Sequence, residues 1–279
     1  MANTIRPSLR GFMSYLKKRA KAIAQGKDLK DRIRLFAWAI LDSMPRIILR
    51  AIPFLKPPLQ VLKDRLTRGV TIIVGKCMFH LVDSESIFIL QPEFEEWMWR
   101  YLKVPRGGVF VDVGAHVGKY AIPMAKVVGS EGLVIVVEPH PDNYKQLVEN
   151  VKLNRVKNVV ALNIAAWSEE SEMKLFIGDV HGHHSLVYDF GRGFVFVRAK
   201  PLDDVLEELG VGRVDCIKVD VEGAELEVLK GMRRTLEKFK PIVVAEVRDE
   251  NLKRVEDFLH QVRYAMKRVA PMYYILKPM

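Results

Sequence analysis

The residues best suited to chemistry are acidic side chains and glycines that follow two apolar segments. Residues 109–118 read V-F-V-D-V-G-A-H-V-G, so an apolar strand with Asp112 near its end runs into a loop that contains Gly114 and Gly118. Glycine removes the Cβ atom where a ligand approaches the backbone, and free amides at the start of a helix favour a carboxylate or phosphate. The next apolar segment ends in Glu138, whose carboxylate can accept hydrogen bonds from both hydroxyls of a ribose. Together these residues predict a site for a nucleotide-like cofactor.

The spacing of the glycines indicates which cofactor the site takes. A dinucleotide binder favours G-x-G-x-x-G, which wraps a pyrophosphate, whereas this chain has D-x-G-x-x-x-G. An S-adenosylmethionine site needs a loop for a methionine carboxylate and amine, an acid near the start of that loop, and a ribose-binding acid one strand later. The sequence meets these needs, so we predict S-adenosylmethionine as the cofactor. The predicted contact residues are Asp112, Gly114, Ala115, His116, Gly118, Glu138, Pro139, Ala166 and Trp167.

The same residues also have ordinary structural roles. The glycines could simply make a tight turn from strand to helix, and Glu138 could cap its strand at the surface. Trp167 either stacks on an adenine or packs as a buried aromatic side chain, and the sequence favours neither role.

A further apolar segment, residues 214–219, leads into two more acids, Asp220 and Glu222. The carboxyl ends of parallel strands lie at one edge of a sheet, so we expect these acids to face the same crevice as the glycine loop. A carboxylate there can position an acceptor for methyl transfer and take its proton, with Asp220 the first catalytic candidate and Glu222 the second. One of the two could instead cap the next helix, and we expect one acid in each role. Lys218 could pair with an acid or line the site, and we predict no catalytic role for it.

A histidine-rich loop is predicted between two strands of a hairpin, residues 173–177 and 194–197. Its tip carries His181, His183 and His184. A histidine can act as a general base near neutral pH, which makes His183 a third catalytic candidate. Most such loops are simply solvated, and a loop alone supplies no firm coordination geometry, so we predict no metal site.

The motifs resemble those of the FkbM-type family of S-adenosylmethionine-dependent methyltransferases. The resemblance covers residues 109–247 and includes the glycine loop, Glu138-Pro139 and Asn154. Its most specific part is K-V-D-V-E-G-A-E, from Lys218 to Glu225. Membership of this family implies O-methylation of a hydroxyl on a sugar, glycan, lipid, polyketide or other small molecule. It does not identify the acceptor.

Two other functions compete with this interpretation. Residues 120–123 and 149–154 also resemble archaeal tRNA guanine methyltransferases, which would make the protein an RNA methyltransferase. Against this, base N-methylating families usually carry an Asn-Pro-Pro or similar turn after the fourth strand, where this chain has Asp220-Val221-Glu222-Gly223. The third interpretation is a cofactor-binding scaffold without catalysis.

The elements that must position these residues predict an α/β fold. We expect a Rossmann-like, mostly parallel sheet with helices on both faces and an antiparallel edge strand, preceded by a helical segment and a small antiparallel sheet. Core strands are predicted at residues 109–113, 133–137, 159–165, 214–219, 241–247 and 273–276, the last as the edge. Helices are predicted at residues 93–102, 142–154 and 249–264, and the small sheet at residues 70–74, 78–82 and 86–90.

The 279 residues, 49% hydrophobic and 28% charged, are enough for one sizeable core and an appended segment. We predict a basic helical segment at residues 1–68, a small sheet with a helix at 69–104, and a methyltransferase domain at 105–279 that begins with a glycine-rich turn. Cys77 and Cys216 are far apart, and neither a disulfide framework nor zinc spacing is visible. This cysteine usage fits a reducing cytoplasm, and the sequence does not set the oligomeric state.

The positive charge is concentrated at the start of the chain. Residues 1–68 contain sixteen Lys or Arg and four Asp or Glu, whereas the remainder has 28 basic and 30 acidic residues. This asymmetry predicts attraction to an anionic membrane surface, a polyphosphate or RNA.

The same segment predicts amphipathic helices. Apolar residues recur at helical spacing at Leu29, Ile33, Phe36, Ala37, Ile40 and Leu41, and again over residues 47–52. Charged residues interrupt every run before it could span a bilayer, and the start of the chain lacks the features of a signal peptide. Either the helices lie in a membrane interface, which would place the protein at the membrane periphery, or they pack on the catalytic domain as a lid or dimer contact. We favour packing, because amphipathic helices usually face a core.

Overall fold

The structure, a computed structural model, describes residues 9–43, 52, 56–178 and 182–279. The chain forms two compact units, residues 1–94 and 95–279. The threefold division at residues 68 and 104 stays a prediction.

The first unit contains helices and one hairpin. Its elements are α1 (Leu9–Ala24), α2 (Leu29–Asp42), α3 (Lys56–Thr67), β1 (Thr71–Val74), β2 (Cys77–His80) and the short helix α4 (Ser86–Ile89). β1 and β2 pair antiparallel, as expected, but residues 86–90 are not the predicted strand. The carboxylate of Asp83 accepts hydrogen bonds from the backbone amide and Oγ of Ser86, which starts a helical turn there. Apart from Ile52, the helix predicted over residues 47–52 lies outside the described residues.

Helix α2 has the predicted periodicity but buries a different face from the one we expected. Its buried residues are Asp31, Leu35, Trp38 and Ala39. Leu29, Ile33, Phe36 and Ile40 are instead 57–74% exposed. The inward face is held by polar contacts, because Asp31 accepts a hydrogen bond from the Thr71 amide at 3.2 Å and Asp42 pairs with Arg19 and Lys63. Among the described residues, no helix is long and apolar enough to cross a membrane.

The second unit is built on a seven-stranded sheet with the order β11-β12-β10-β9-β3-β4-β5. Its strands are β3 (Val109–Val113), β4 (Leu133–Val137), β5 (Val159–Leu162), β9 (Cys216–Val219), β10 (Ile242–Glu246), β11 (Tyr264–Ala270) and β12 (Tyr273–Pro278). The five strands from β5 to β10 in this order are parallel, and β12 and β11 continue the sheet antiparallel.

Helices pack on the sheet between its strands. They are α5 (Ala121–Val128), α6 (Pro141–Leu153), α7 (Leu202–Glu208), α8 (Glu225–Lys230), α9 (Arg233–Phe239) and α10 (Leu252–Gln261), with 3-10 turns at Glu96–Arg100 and Asp249–Asn251. Alternate residues of β3 enter two separate apolar clusters, with Val111 in one and Phe110 in the other. Because successive side chains of a strand point to opposite faces, both faces of the sheet are covered. The predicted Rossmann-like fold class is confirmed.

Four details differ from the sequence prediction. The helix predicted over residues 93–102 is only a short 3-10 helix, Glu96–Arg100. The antiparallel edge strand is β11, and the strand that starts at Tyr273 lies between it and β10. The predicted helix from residue 249 ends at Gln261, which leaves residues 264–270 free to form that edge. The third core strand stops at Leu162, and Ala165–Ala166 form β6 of a separate three-stranded sheet with the hairpin β7 (Ser171–Phe176) and β8 (Phe194–Lys200).

Candidate functional site

Gly114 and Gly118 of the glycine loop must be glycine for different physical reasons. Gly114 has a φ of +78°, and a Cβ atom there would lie 1.8 Å from the carbonyl oxygen of Asp220. Only glycine therefore lets the loops after β3 and β9 touch. Gly118 has a φ of +92°, and its Cβ would meet side-chain atoms of Leu147 and Ile122 at 2.8 and 3.0 Å. Gly118 thus serves the packing of α6 and α5 against the turn.

Glu138 ties the loop after β4 to the loop after β3. One carboxylate oxygen accepts a hydrogen bond from the His116 amide at 2.8 Å, and the other accepts one from the His140 amide at 3.0 Å. His116 holds a positive φ of 50°, which points its amide toward the acid. Burial raises the pKa of Glu138 to about 7, although these two amide hydrogen bonds oppose the rise. Glu138 is therefore a buried carboxyl that titrates near neutral pH.

The remaining predicted cofactor contacts have backbone and packing partners of their own. Ala115 is buried and its amide donates to the Val137 carbonyl at 3.1 Å, while the Pro139 carbonyl accepts a hydrogen bond from Asn163 Nδ2 at 3.0 Å. Ala166 is buried in β6, and the Trp167 amide donates to the carbonyl of Lys200 at 3.1 Å. The half-buried Trp167 side chain packs against an apolar cluster formed by β6, β7 and β8, the strands of the three-stranded sheet. The packing role of Trp167 is therefore observed, and its contact with an adenine stays a prediction.

Lys218 is the buried cation at the centre of the site. Its Nζ is 3.4 Å from Asp112 Oδ1, 3.3 Å from Asp220 Oδ2 and 3.3 Å from the Gly114 carbonyl oxygen. Asp112 is completely buried, and neither of its carboxylate oxygens has a hydrogen-bond partner among the described residues. Burial raises the pKa of Asp112, against the pull of Lys218. Lys218 thus pairs with two acids, as the sequence allowed.

Asp220 lies beside a carboxyl that the sequence analysis did not select, Glu246 at the end of β10. One oxygen of each of Asp220, Glu222 and Glu246 lies within 4.8 Å of the others. Burial and the charge of Asp220 raise the pKa of Glu246, so Glu246 keeps its proton and donates a hydrogen bond to Asp220. Burial would raise the pKa of Asp220 as well, but Lys218 and this hydrogen bond outweigh it and the pKa falls below its usual value. The two carboxyls hold one proton between them.

Glu222 has a different environment from Asp220. Its carboxylate pairs with Arg248, and its carbonyl oxygen accepts a hydrogen bond from Ser185 Oγ at 2.7 Å. Neither Asp220 nor Glu222 caps α8, which corrects the expectation of one acid in each role. Among the described residues, no side chain caps this helix. Glu225, its first residue, instead fixes the turn before it, because one of its oxygens accepts a hydrogen bond from the Gly223 amide at 2.7 Å and the other accepts one from Asn251 Nδ2 at 2.8 Å.

A tyrosine network adjoins the carboxyl pair. Tyr273 on β12 is the cross-strand neighbour of Glu246. Its hydroxyl donates to Glu95 Oε1 at 2.7 Å, and Glu246, whose pKa Tyr273 lowers, is an alternative acceptor for the same proton. Glu95 Oε2 accepts hydrogen bonds from Tyr120 and from Lys119 Nζ, the latter at 3.1 Å. Burial lowers the pKa of Lys119 to about 8 and raises that of Tyr120. No sequence motif points to Glu95 or Tyr273, whereas Glu246 could have been found as another acid that ends a core strand.

The histidine loop reaches the site through residues other than His183. His183 is exposed and makes no hydrogen bond or ion pair with the described residues, and His181 lies outside them. His184 Nδ1 accepts a hydrogen bond from the Gly178 amide at 3.1 Å, and its ring stacks on that of His140 at 4.0 Å. The structure therefore does not bring His183 to the carboxylates.

The three clustered carboxylates could geometrically surround a cation. Lys218 and Arg248 already supply positive charge to Asp220 and Glu222. The proton that Glu246 retains lowers the negative charge further. Two cations of the protein therefore already compensate part of the negative charge of this cluster.

Comparison with known proteins places this arrangement in a family. The FkbM methyltransferase domain matches residues 112–269. The methyltransferase sdnD of Sordaria araneosa is 30% identical over 180 residues, which cover 53% of this chain and 69% of that protein. The hexuronic acid methyltransferase AglP of Haloferax volcanii is 28% identical over 138 residues, or 49% of this chain and 54% of that protein. A tRNA(Phe) (4-demethylwyosine(37)-C(7)) aminocarboxypropyltransferase of Methanocaldococcus jannaschii is 27% identical over 212 residues, or 72% of this chain and 82% of that protein.

The family match begins at Asp112 and includes the glycine loop, Glu138 and the acids after β9, all of which lie at the carboxyl ends of neighbouring parallel strands. The chain belongs to the FkbM methyltransferase family and is an S-adenosylmethionine-dependent methyltransferase.

Proposed function

We propose that the enzyme transfers a methyl group to a hydroxyl oxygen of a sugar, glycan, lipid or other small molecule. The observation that carries this proposal is the Asp220–Glu246 pair: one oxygen of each lies within 4.8 Å of the other, and Asp220 Oδ2 is 3.3 Å from Lys218 Nζ, which itself contacts the Gly114 carbonyl of the glycine loop. A hydroxyl must lose its proton as its oxygen accepts a methyl group, so an O-methyltransferase gains from a carboxylate at this place. The similarity to a hexuronic acid methyltransferase supports a carbohydrate acceptor.

The residues present fit S-adenosylmethionine. Gly114 lets the loops after β3 and β9 lie against each other. Asp112, whose two carboxylate oxygens have no hydrogen-bond partner among the described residues, forms a buried charged pair with Lys218 at this place. We assign the loop at residues 114–118 to the methionine end of the cofactor and Glu138 to the ribose hydroxyls. Bound S-adenosylmethionine supplies an electrophilic methyl group. Asp112 is fully covered, so we assign it a positioning role through Lys218 and the loop.

The acceptor proton goes to Asp220. Its carboxylate stays ionised at neutral pH because Lys218 and Glu246 lower its pKa, and its side chain is 25% exposed, so an acceptor hydroxyl can approach it. The O–H bond breaks as the bond from oxygen to the methyl carbon forms and the bond from that carbon to sulfur breaks. The proton goes to the Asp220 carboxylate, so the Asp220–Glu246 pair then holds two protons. General base catalysis of this kind contributes about 10²–10⁴ in rate.

The loop that follows β7 contributes to the acceptor pocket in this proposal. Ser185 is hydrogen-bonded to the Glu222 carbonyl oxygen, and a Cβ atom on Gly223 would lie 2.3 Å from the Tyr188 ring, so the loop lies directly over the backbone of the second motif. We assign acceptor orientation to Glu222, Arg248 and this loop. His183, which is exposed and touches none of the acids, remains a candidate for contact with the substrate only.

The test replaces each acid by its amide and measures cofactor affinity and turnover separately. We expect Asp220→Asn to lose about 10²–10⁴ in turnover with little change in affinity for S-adenosylmethionine. Glu246→Gln should lose less, because its amide still donates a hydrogen bond to Asp220, and Glu222→Gln should act mainly on the acceptor KM. Full turnover of Asp220→Asn would overturn the proposed base.

An RNA acceptor is the second candidate. The observation that favours it is the similarity to the tRNA-modifying enzyme over 72% of this chain, together with the basic residues 1–68, which could hold phosphates. Steeply salt-dependent tRNA binding and methyl incorporation into tRNA would support this function. Cofactor binding without transfer to any acceptor would instead favour the scaffold. We also propose a reducing cytoplasmic location, which the two free cysteines support.

A further inference from the structure

Helix α2 presents a continuous apolar stripe on its outer side. Leu29, Ile33, Phe36 and Ile40 follow one another at intervals of four, three and four residues, which places them within one narrow face of a helix. Their exposures are 74%, 60%, 57% and 57%. Single exposed apolar residues are ordinary on a protein surface, but a contiguous stripe of large side chains marks an interaction site.

The inner side of α2 already has its partners. Trp38 and Leu35 are completely buried, and Asp31 and Asp42 on the same side are engaged with Thr71, Arg19 and Lys63. The outer stripe is therefore a second apolar face of the helix, nearly opposite the face that packs in the core.

Charge around the stripe shows what kind of surface it fits. All four acidic residues of residues 1–68 are engaged inside this unit: Asp28 accepts the Asp31 amide at the start of α2, Asp64 accepts the Ser84 amide, and Asp31 and Asp42 make the contacts described above. Basic side chains stand exposed on α1, α2 and the segment between them, and two of them also have partners in this unit: Lys21 pairs with Glu93, and Arg32 Nε donates to the Gly26 carbonyl oxygen at 3.0 Å. The exposed cations are Lys17, Lys18, Lys21, Lys27, Lys30 and Arg32.

Lys30 and Arg32 flank the stripe on its two sides, since successive residues turn by about 100° around a helix. A helix with large apolar side chains on one face and cations beside them lies in the interface of a bilayer, where the apolar face enters the boundary between headgroups and acyl chains. Each cation near the surface adds attraction to anionic lipid. RNA would use the cations, but Leu29, Ile33 and Ile40 offer nothing to a phosphate backbone.

We propose that α2 docks the protein on an anionic lipid bilayer surface, with Leu29, Ile33, Phe36 and Ile40 inserted and the lysines beside them contacting anionic headgroups. This reverses the sequence-based preference for packing. It does not depend on which acceptor the enzyme methylates.

The test is co-sedimentation of the full-length protein with vesicles. One set contains phosphatidylcholine alone, and the other contains phosphatidylcholine mixed with phosphatidylglycerol. We expect binding to the anionic vesicles that weakens, but is not abolished, at high salt. The variant Ile33→Ser/Phe36→Ser should lower the partition coefficient about a hundredfold, or about tenfold for each side chain withdrawn from the bilayer.

The matched control is Phe196→Ser/Leu209→Ser, which removes two exposed apolar side chains, 59% and 40% exposed, from the other unit and should leave vesicle binding unchanged. S-adenosylmethionine affinity and thermal unfolding are measured on every variant to confirm folding. A second charge variant, Lys27→Gln/Lys30→Gln, should reduce binding to the anionic vesicles and flatten its salt dependence.

Three results would overturn the proposal. If the stripe variant binds vesicles as well as the parent does, charge alone is responsible for binding. If the parent ignores vesicles and forms a dimer that the stripe variant disrupts, the face is a contact between copies of the chain. If the parent ignores vesicles and binds tRNA regardless of the stripe, the basic segment is an RNA contact.

Discussion

Removing the ammonium group of Lys218 should open the sheet, because two carboxylates depend on it. Lys218→Met deletes the charge and keeps most of the apolar stem. Asp112 is then left fully buried without a cation 3.4 Å away and without a hydrogen-bond partner among the described residues. The energetic cost of losing the cation is smaller for Asp220, since its side chain is 25% exposed and Glu246 donates a hydrogen bond to it. Breaking a buried pair from one side costs about 3–5 kcal/mol.

Opening of the sheet can be measured by the reaction of Cys216 with a thiol reagent. Cys216 lies two residues before Lys218 on β9, is completely buried and has a free thiol. If a thiol reagent reacts only with the opened strand, the labelling rate follows the opening equilibrium. A loss of about 3–5 kcal/mol then accelerates labelling between about a hundredfold and a few thousandfold. Cys77 in the first unit is the internal control and should keep its rate.

A second variant separates loss of charge pairing from loss of packing. Lys218→Met/Asp112→Leu removes the orphaned carboxylate, and an apolar replacement of a whole buried pair is often neutral. Cys216 labelling should return to within about tenfold of the parent rate. Unchanged labelling in the single variant, or no recovery in the double variant, would refute this reasoning.

Lowering the pH should restore stability to Lys218→Met, as the added Asp112→Leu substitution does. Burial already raises the pKa of Asp112 against the pull of Lys218. Without the cation, the folded-state pKa of Asp112 rises further above its unfolded value. The penalty in Lys218→Met is therefore complete above that folded pKa and disappears as pH falls and the carboxyl is protonated.

Three further predictions concern the same crevice. Burial places the pKa of Glu138 at about 7, so affinity for S-adenosylmethionine, measured by calorimetry, should fall as pH drops through about 7, and Glu138→Gln should show no such step. Gly114→Ala should lower the melting temperature severely, because its Cβ would lie 1.8 Å from a carbonyl oxygen. The control is Gly107→Ala, which has a similar φ but whose nearest contact lies 3.9 Å from the Cβ, so it should cost only the backbone strain of about 1–2 kcal/mol. Tyr273→Phe removes a hydrogen bond that lowers the pKa of Glu246. If turnover requires protonated Glu246, the alkaline limb of the plot of turnover against pH should move to higher pH in this variant. An alkaline limb at the parent's pH would show that Tyr273 does not influence the Asp220–Glu246 pair.

The position of acids at strand ends explains why much of the crevice was predictable. Glu138 and Asp220 each follow an apolar run, Asp112 is the next-to-last residue of another, and the structure brings their strands side by side with their carboxyl ends at one edge. Glu246 also ends an apolar run and was overlooked because it belongs to no motif. Glu95 could not be found this way, since it lies outside any core strand and reaches the site only through the fold.

Elements outside the parallel core were harder to predict. The helical turn at Ser86 depends on one side-chain cap from Asp83, which overrides a run of β-prone residues. For α2, periodicity predicted the helix correctly but not its buried side, because both sides carry large apolar residues. Trp38 and Leu35 are the buried residues because other parts of the folded unit pack against them. No local sequence pattern contains that information.

The sequence alone determined the fold class, the family, the cofactor and the acids at the strand ends, because each depends on local runs and spacings that a parallel sheet arranges in only one way. Tertiary structure decided how those acids are charged. The register of β9 against β3 makes Lys218 the direct neighbour of Asp112, and the register of β12 against β10 puts Tyr273 opposite Glu246. The pKa of a buried carboxyl depends on such neighbours at 3–4 Å, and residues that are more than a hundred positions apart in the chain, or that meet across antiparallel strands, become neighbours only when the sheet forms.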